Sequence, residues 1–187
     1  MPLLGTMIKP FKACSYKSGK FVTVTDAEIS GRWAVFFFYP ADFTYVCPTE
    51  LEDLADNFDE FCRLGIDIFS VSTDTVYSHK VWHDISPAIA KVQFHMLADQ
   101  GHIISSNFDV LRPGEGIADR GTFVVDPDGI IRIIEITSDG VGRSASELLR
   151  KIQAAQYVAA NPGEVCPAKW EDGDETITPA PELVGRI

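Results

Sequence analysis

Basic side chains are in short supply. The 187 residues carry 16 Lys and Arg against 27 Asp and Glu, a formal net charge of -11 at pH 7. A nucleic-acid partner needs a basic surface to displace phosphate counterions, so this balance argues against one. No apolar run approaches the ~20 residues of a membrane span. The opening Met-Pro-Leu-Leu-Gly-Thr-Met has neither a basic n-region nor a long apolar core, so no secretory signal is expected. The expectation is therefore a soluble, cytoplasmic protein. Cysteine is sparse as well. Four are present, at 14, 47, 62 and 166, and no two stand at the Cys-x-x-Cys spacing of zinc sites or thioredoxin-like motifs. Gly114-Glu-Gly116 lacks a following Walker-type lysine, which excludes a phosphate loop. Internal repeats and low-complexity stretches are absent too.

What is present reads as an ordinary globular chain. Hydrophobic residues make up 45%, enough for one domain with a substantial core. Residues 11–24 pattern as a hairpin, an edge strand turning through Lys17-Ser-Gly-Lys20. Trp33 to Tyr39 is an apolar run fit for a fully buried strand, and Pro40 stops it. From Leu51, apolar residues recur at helical spacing through Leu54, Phe58 and Phe61 to a stop at Gly65. Ile66–Ser72 follows as a core strand, then a helix over 76–91 that Pro87 perturbs or divides. Val92–Leu97 predicts a strand and Ile103–Phe108 a short helix. Two strands, Gly121–Val125 and Ile130–Ile136, flank the turn Asp126-Pro-Asp-Gly129. Ser144 to Ala160 is a long helix capped by Ser144 or Ser146, with Glu147 in its first turns. Strands alternating with helices predict an α/β fold. After Asn161, Pro162, Gly163, Pro167, Gly173, Pro179 and Pro181 break any long element, so 161–187 reads as a loose arm on a 1–160 domain.

Cys47 is the residue of chemical interest. It stands directly before Pro48 at a strand-to-helix junction, and proline is well placed in a first helical turn. Free N–H groups and the helix dipole at that end favour a thiolate, the nucleophilic form of sulfur. A small buried hydrophobe is the alternative. Thr44, three residues earlier, supplies a hydroxyl for the sulfur or for a substrate oxygen, and Pro40 and Pro48 shield the place from water. Glu50 occupies the position where a thioredoxin-type motif has its second cysteine, which disfavours a general thiol-disulfide oxidoreductase. Glu50, Glu52 and Asp53 complement the helix dipole but oppose a nearby thiolate. Cys14 reads as structural. Cys62 falls at a negative helix end and reads as a bystander. His79 and His83 stand four apart without a Glu beside the first or a third ligand, and read as surface histidines near an interface. Arg120, at the start of a strand, is a surface arginine unless that strand begins beside the end of another.

Pro40-x-x-x-Thr44-x-x-Cys47, within Phe-Tyr-Pro-Ala-Asp-Phe-Thr and Val-Cys-Pro-Thr-Glu, resembles the active-site signature of the peroxiredoxins in their typical two-cysteine class. The likeness runs from Ile8-Lys-Pro-Phe-Lys12 to Leu183-Val-Gly-Arg-Ile187 and is nearest to the bacterial branch. It implies a thioredoxin-like fold, a central mixed sheet flanked by helices, with an N-terminal hairpin and a C-terminal arm. It also implies a thiol peroxidase in which Cys47 attacks a hydroperoxide and becomes a sulfenic acid. Cys166 of a neighbouring chain, in Val165-Cys166-Pro167, would then condense with it. By the same resemblance Arg120 stabilises the thiolate and polarises the peroxide, and Glu50 and Arg143 orient Arg120. The implied partners are a second copy of the chain, a ring of five dimers, and either a flavoprotein disulfide reductase or a thioredoxin-like reductant. No metal, haem or flavin is implied in the chain itself. A structural ring or holdase chaperone is the reading from another class, and needs neither Cys166 nor Thr44. The Gly-Gly-Leu-Gly loop and C-terminal Tyr-Phe pair of many eukaryotic relatives are missing here, which implies relative robustness to over-oxidation.

Overall fold

The structure, a computed structural model, describes residues 3–186. Seven strands form one mixed sheet: β1 (Lys12–Lys17), β2 (Lys20–Thr25), β3 (Trp33–Phe38), β4 (Ile66–Ser72), β5 (His95–Ala98), β6 (Arg120–Val125) and β7 (Ile131–Thr137). Their order is β2-β1-β5-β4-β3-β6-β7. The helices are α1 (Cys47–Asp56), α2 (Phe58–Arg63), α3 (Val76–Ile85), α4 (Ile103–Asn107) and α5 (Ala145–Ala160). β3, β4 and β5 run parallel, and β1, β6 and β7 join antiparallel. The arrangement of the first 145 residues is thioredoxin-like, with helices such as α2 and α3 packed on the sheet. The described residues divide into two compact units between Ala145 and Ser146, so α5 groups with the segment after Asn161.

β3 is Trp-Ala-Val-Phe-Phe-Phe and is buried from Ala34 onward. An unbroken apolar strand of this kind needs cover on both faces, which a central position supplies. On one face Phe36 meets Phe108 at 4.8 Å between ring centroids, and Phe108 meets Phe123 at 4.9 Å. The β3–β6 register matters most for the site. Phe37 pairs with Thr122 and Phe36 with Phe123. Antiparallel pairing therefore sets the start of β6 beside the end of β3, where the Cys47 loop departs.

Four sequence expectations change. The hairpin's first strand is not an edge: β1 lies between β2 and β5. The helix expected to run to Gly65 breaks at Asn57, whose amide donates to Asp53 O at 2.8 Å and so competes with the helical ladder. Gly65 does end α2, at φ +69°. The fifth strand starts at His95, three residues late, because Val92 and Phe94 are buried without joining the ladder. His79 is not a surface residue; it is fully buried, and His83 is half-buried. Pro87 divides its helix as expected, leaving α3 and a separate turn at Ile89–Lys91.

Candidate active site

Three segments meet around Cys47 and Glu50. The first leaves β3. Tyr39 N still donates to Val71 O at 3.1 Å, and Pro40, with no N–H to offer, ends the ladder. The loop then passes through Phe43 at φ +57°, left-handed backbone that costs a bulky residue on the order of 1–3 kcal/mol. A buried polar cluster holds it there. Asp42 N donates to Asp74 at 2.8 Å, and the Asp42 carboxylate accepts from Tyr39 Oη at 2.8 Å. His79 Nδ1 sits 2.8 Å from the same carboxylate, and its Nε2 3.2 Å from Leu97 O. Burial, then the Asp42 charge, pushes the Tyr39 phenol well above its ordinary range. His79 and His83 are thus hydrogen-bonding anchors: His83 Nε2 lies 3.2 Å from Val92 O.

Cys47 opens α1 with Pro48 in its first turn, and its side chain is fully buried. Thr44 is near in sequence, but its hydroxyl donates to Ala41 O at 2.9 Å rather than to the sulfur. That bond braces the loop and leaves the oxygen's lone pairs free to accept.

The second segment is the start of β6. Arg120 Nη1 lies 3.2 Å from Cys47 Sγ and 2.9 Å from Glu50 Oε2, while Nε donates to Asp139 O at 3.0 Å. Burial works against this buried charge, but the bond to Cys47, its charge and then Glu50 outweigh it. The guanidinium is held above its ordinary range.

The third segment is the loop after β7. Arg143 donates through Nε and its backbone N to Glu50 Oε1, both at 2.9 Å, through Nη1 to Thr122 at 3.0 Å, and through Nη2 to Phe38 O at 2.9 Å. Its guanidinium also lies 3.5 Å over the Phe37 ring, a favourable cation–π placement. Burial pulls Arg143 below its ordinary range, with Glu50 opposing. Glu50 therefore bridges two guanidiniums, and the negative charge that the sequence placed beside the sulfur is answered. Asp53, one turn further along α1, accepts from Ala145 N at 2.7 Å, so a second carboxylate of that helix is committed as well.

The structure thus brings together Cys47, Glu50, Arg120 and Arg143, with Pro40 and Thr44 in the adjoining loop. Sequence reading missed Asp42, Asp74 and Arg112. Arg112 donates to Asp119 at 2.6 Å and to Asp139 at 2.9 Å, pinning the loop whose carbonyl holds Arg120. Nothing in their spacing announces them, because Asp42 also meets Asp74 and His79, and Arg112 meets Asp139, far along the chain.

The remaining thiols differ. Cys14 and Cys62 are exposed. Burial, then Asp59 and Asp67, raises the Cys62 thiol above its usual value. Within the second unit, the Cys166 thiol is raised by burial and then by Glu164, and Sγ lies 3.8 Å from Ala154 O.

Fold and site together define a thioredoxin-fold protein built around a buried thiol under a guanidinium. The AhpC/TSA family model matches residues 4–134, and the chain belongs to that family. A second model, the C-terminal domain of 1-Cys peroxiredoxin, matches 154–186; its description counts one cysteine, yet this chain has Cys166 inside the match. Alkyl hydroperoxide reductase C of Salmonella typhimurium is 58% identical over 187 residues, covering all of both chains. That of Bacillus subtilis is 54% identical, again over the whole of both. Among solved structures, Enterococcus faecalis AhpC superposes with a TM-score of 0.87 at 41% identity, over 89% of this chain and all of that one. The reduced Plasmodium vivax 2-Cys peroxiredoxin gives 0.92 at 29% identity, over 97% and 96%. The likeness to two-cysteine peroxiredoxins read from the motifs therefore extends over the whole chain.

Proposed function

We propose that the chain is a thiol peroxidase that reduces hydrogen peroxide and organic hydroperoxides, with Cys47 as the sulfur that meets the substrate. The observation that carries this reading is the 3.2 Å contact between Arg120 Nη1 and a fully buried Cys47 sulfur at a helix start. The Cys47 thiolate attacks the outer peroxide oxygen and the O–O bond breaks. The sulfur keeps one oxygen as sulfenate, and the other leaves with a proton as water or alcohol. Arg120 stabilises charge on the leaving oxygen, the lone pairs of Thr44 orient the peroxide, and Pro40 walls the pocket. Glu50 and Arg143 set the angle of Arg120.

In the second step Cys166 of a neighbouring chain condenses with the sulfenic acid, giving a disulfide and water. An external dithiol then returns both sulfurs to thiols by exchange. The reductant is a flavoprotein disulfide reductase of the alkyl hydroperoxide reductase system, or a thioredoxin-like protein. The working assembly is a homodimer and, in rings, five dimers, in the cytoplasm. Among the described residues no helix is long and apolar enough to cross a membrane.

The test is peroxide consumption by the purified protein with dithiothreitol as reductant. Cys47→Ser should lose it, while Cys14→Ser and Cys62→Ser keep it. Substantial turnover by Cys47→Ser would overturn the assignment.

A further inference from the structure

The segment around Cys166 is not the loose arm that its prolines and glycines suggest. Val165 and Ile177 exchange two backbone hydrogen bonds, Val165 N to Ile177 O at 2.9 Å and the reverse at 3.0 Å. Trp170 is buried; its Nε1 donates to Asp174 O at 3.1 Å and its carbonyl accepts from Arg150 at 3.0 Å. Glu164 ties this loop to α5. One oxygen of its carboxylate accepts from Tyr157 Oη at 2.7 Å and also from Thr176 Oγ1. Tyr157 belongs to α5 and rests its ring against Trp170, with centroids 5.2 Å apart. Thr176 lies beyond Cys166, so one carboxylate closes the chain on both sides of the cysteine. The Cys166 sulfur then faces Ala154 O, inward to its own helix.

We infer that Glu164, gripped by Tyr157 and Thr176, is a positioning residue for the second half of the reaction: it holds Cys166 against α5 and slows its departure. This rests on Cys166 being the sulfur that condenses with the Cys47 sulfenic acid. In that step the S–O bond of the sulfenic acid breaks, the S–S bond forms, and the thiol proton leaves with the hydroxyl as water, so no outside oxidant enters. The carboxylate also sits beside a half-buried thiol, and its negative charge disfavours the thiolate. Glu164 thus acts mechanically, through two hydroxyls, and electrostatically, through its charge.

Two sets of substitutions separate these effects. Tyr157→Phe with Thr176→Val removes both donors and keeps the charge; Glu164→Gln keeps an accepting oxygen and removes the charge. The first readout is alkylation of Cys166 by iodoacetamide across pH, resolved by peptide mass in a Cys47→Ser background, with no peroxide present. The second is stopped-flow measurement of Cys47 oxidation and of the later disulfide step in the otherwise wild-type chain. With the donors removed, alkylation and disulfide formation should rise roughly three- to tenfold, what one or two modest hydrogen bonds are worth. The first oxidation step should stay unchanged. Glu164→Gln should move the alkylation profile of Cys166 to lower pH, a shift that a purely structural role would not cause. Wild-type rates in the double variant, a slower disulfide step, or an unmoved pH profile would each overturn the inference. If the wild type forms no Cys47–Cys166 disulfide, the assignment of Cys166 fails, and the alkylation arm still decides whether the clamp exists.

Discussion

Arg120 does two things at one nitrogen, since Nη1 faces both Cys47 Sγ and Glu50 Oε2. Replacing it by methionine removes the cation while keeping most of the side-chain bulk. Arg120→Met should slow the first oxidation step by about 10²–10³, the usual loss when one donor to a developing oxyanion is removed. Glu50→Gln should cost less there, because Arg120 keeps its bonds to sulfur and to Asp139. It should cost more in stability, because Arg143 is then left buried and partly unpaired. Stopped-flow rates and urea unfolding of the two variants separate these effects. Equal rates in Arg120→Met and wild type would show that the 3.2 Å contact has no part in the chemistry.

Among the elements, the Cys47 loop depends on a cluster that none of its own residues completes. Asp42 and His79 are fully buried partners at 2.8 Å, on the loop and on α3. Removing one leaves the other buried without its hydrogen-bond partner, so Asp42→Ala or His79→Ala should each cost about 1–3 kcal/mol. Urea unfolding with an unchanged m-value reads this directly, and a loss below 1 kcal/mol would mean that water replaces the partner. β5 offers a different test. Burial, then repulsion by Lys17, pushes His95 down from 6.5 to about 4, with Asp67 opposing. The unfolded chain therefore binds a proton that the folded chain refuses between those two values. Stability should be complete above pH 6.5 and fall as the pH drops toward 4. Because the ring is only half-buried, solvent screening should hold the effect to about 1 kcal/mol. His95→Gln should flatten this part of the profile; identical pH-dependent losses would show that His95 does not carry it.

For the whole molecule, the proposed cycle needs two chains. Mixing Cys47→Ser with Cys166→Ser subunits gives heterodimers that keep one complete sulfur pair only if the two sulfurs come from different chains. After peroxide, such mixtures should give disulfide-linked dimers on a non-reducing gel. Cys166→Ser alone should give monomer and a dimedone-reactive sulfenic acid. A disulfide confined within single wild-type chains would overturn the intersubunit step.

Local chemistry made much of this protein legible in its sequence. The apolar run of β3, the stop at Pro40 and the pairing of Cys47 with Pro48 are neighbours along the chain, so their physics is readable in one line of residues. The alternation of strands and helices follows from local periodicity in the same way, as does the division of α3 by Pro87. Tertiary structure decided the rest. Arg120 stands 73 residues from Cys47 and Arg143 stands 93 from Glu50; only the antiparallel register of β6 on β3 brings the first pair together. His79 reads as exposed because helical spacing gives no sign of Asp42 and Leu97 O on other elements. The segment around Cys166 reads as loose because proline and glycine report local breaks, whereas its hydrogen bonds, Val165 with Ile177 and Glu164 with Tyr157 and Thr176, join residues distant along the chain. Local propensity is written in adjacent residues, but a buried charge is specified by its partners, and those are chosen only when the chain folds.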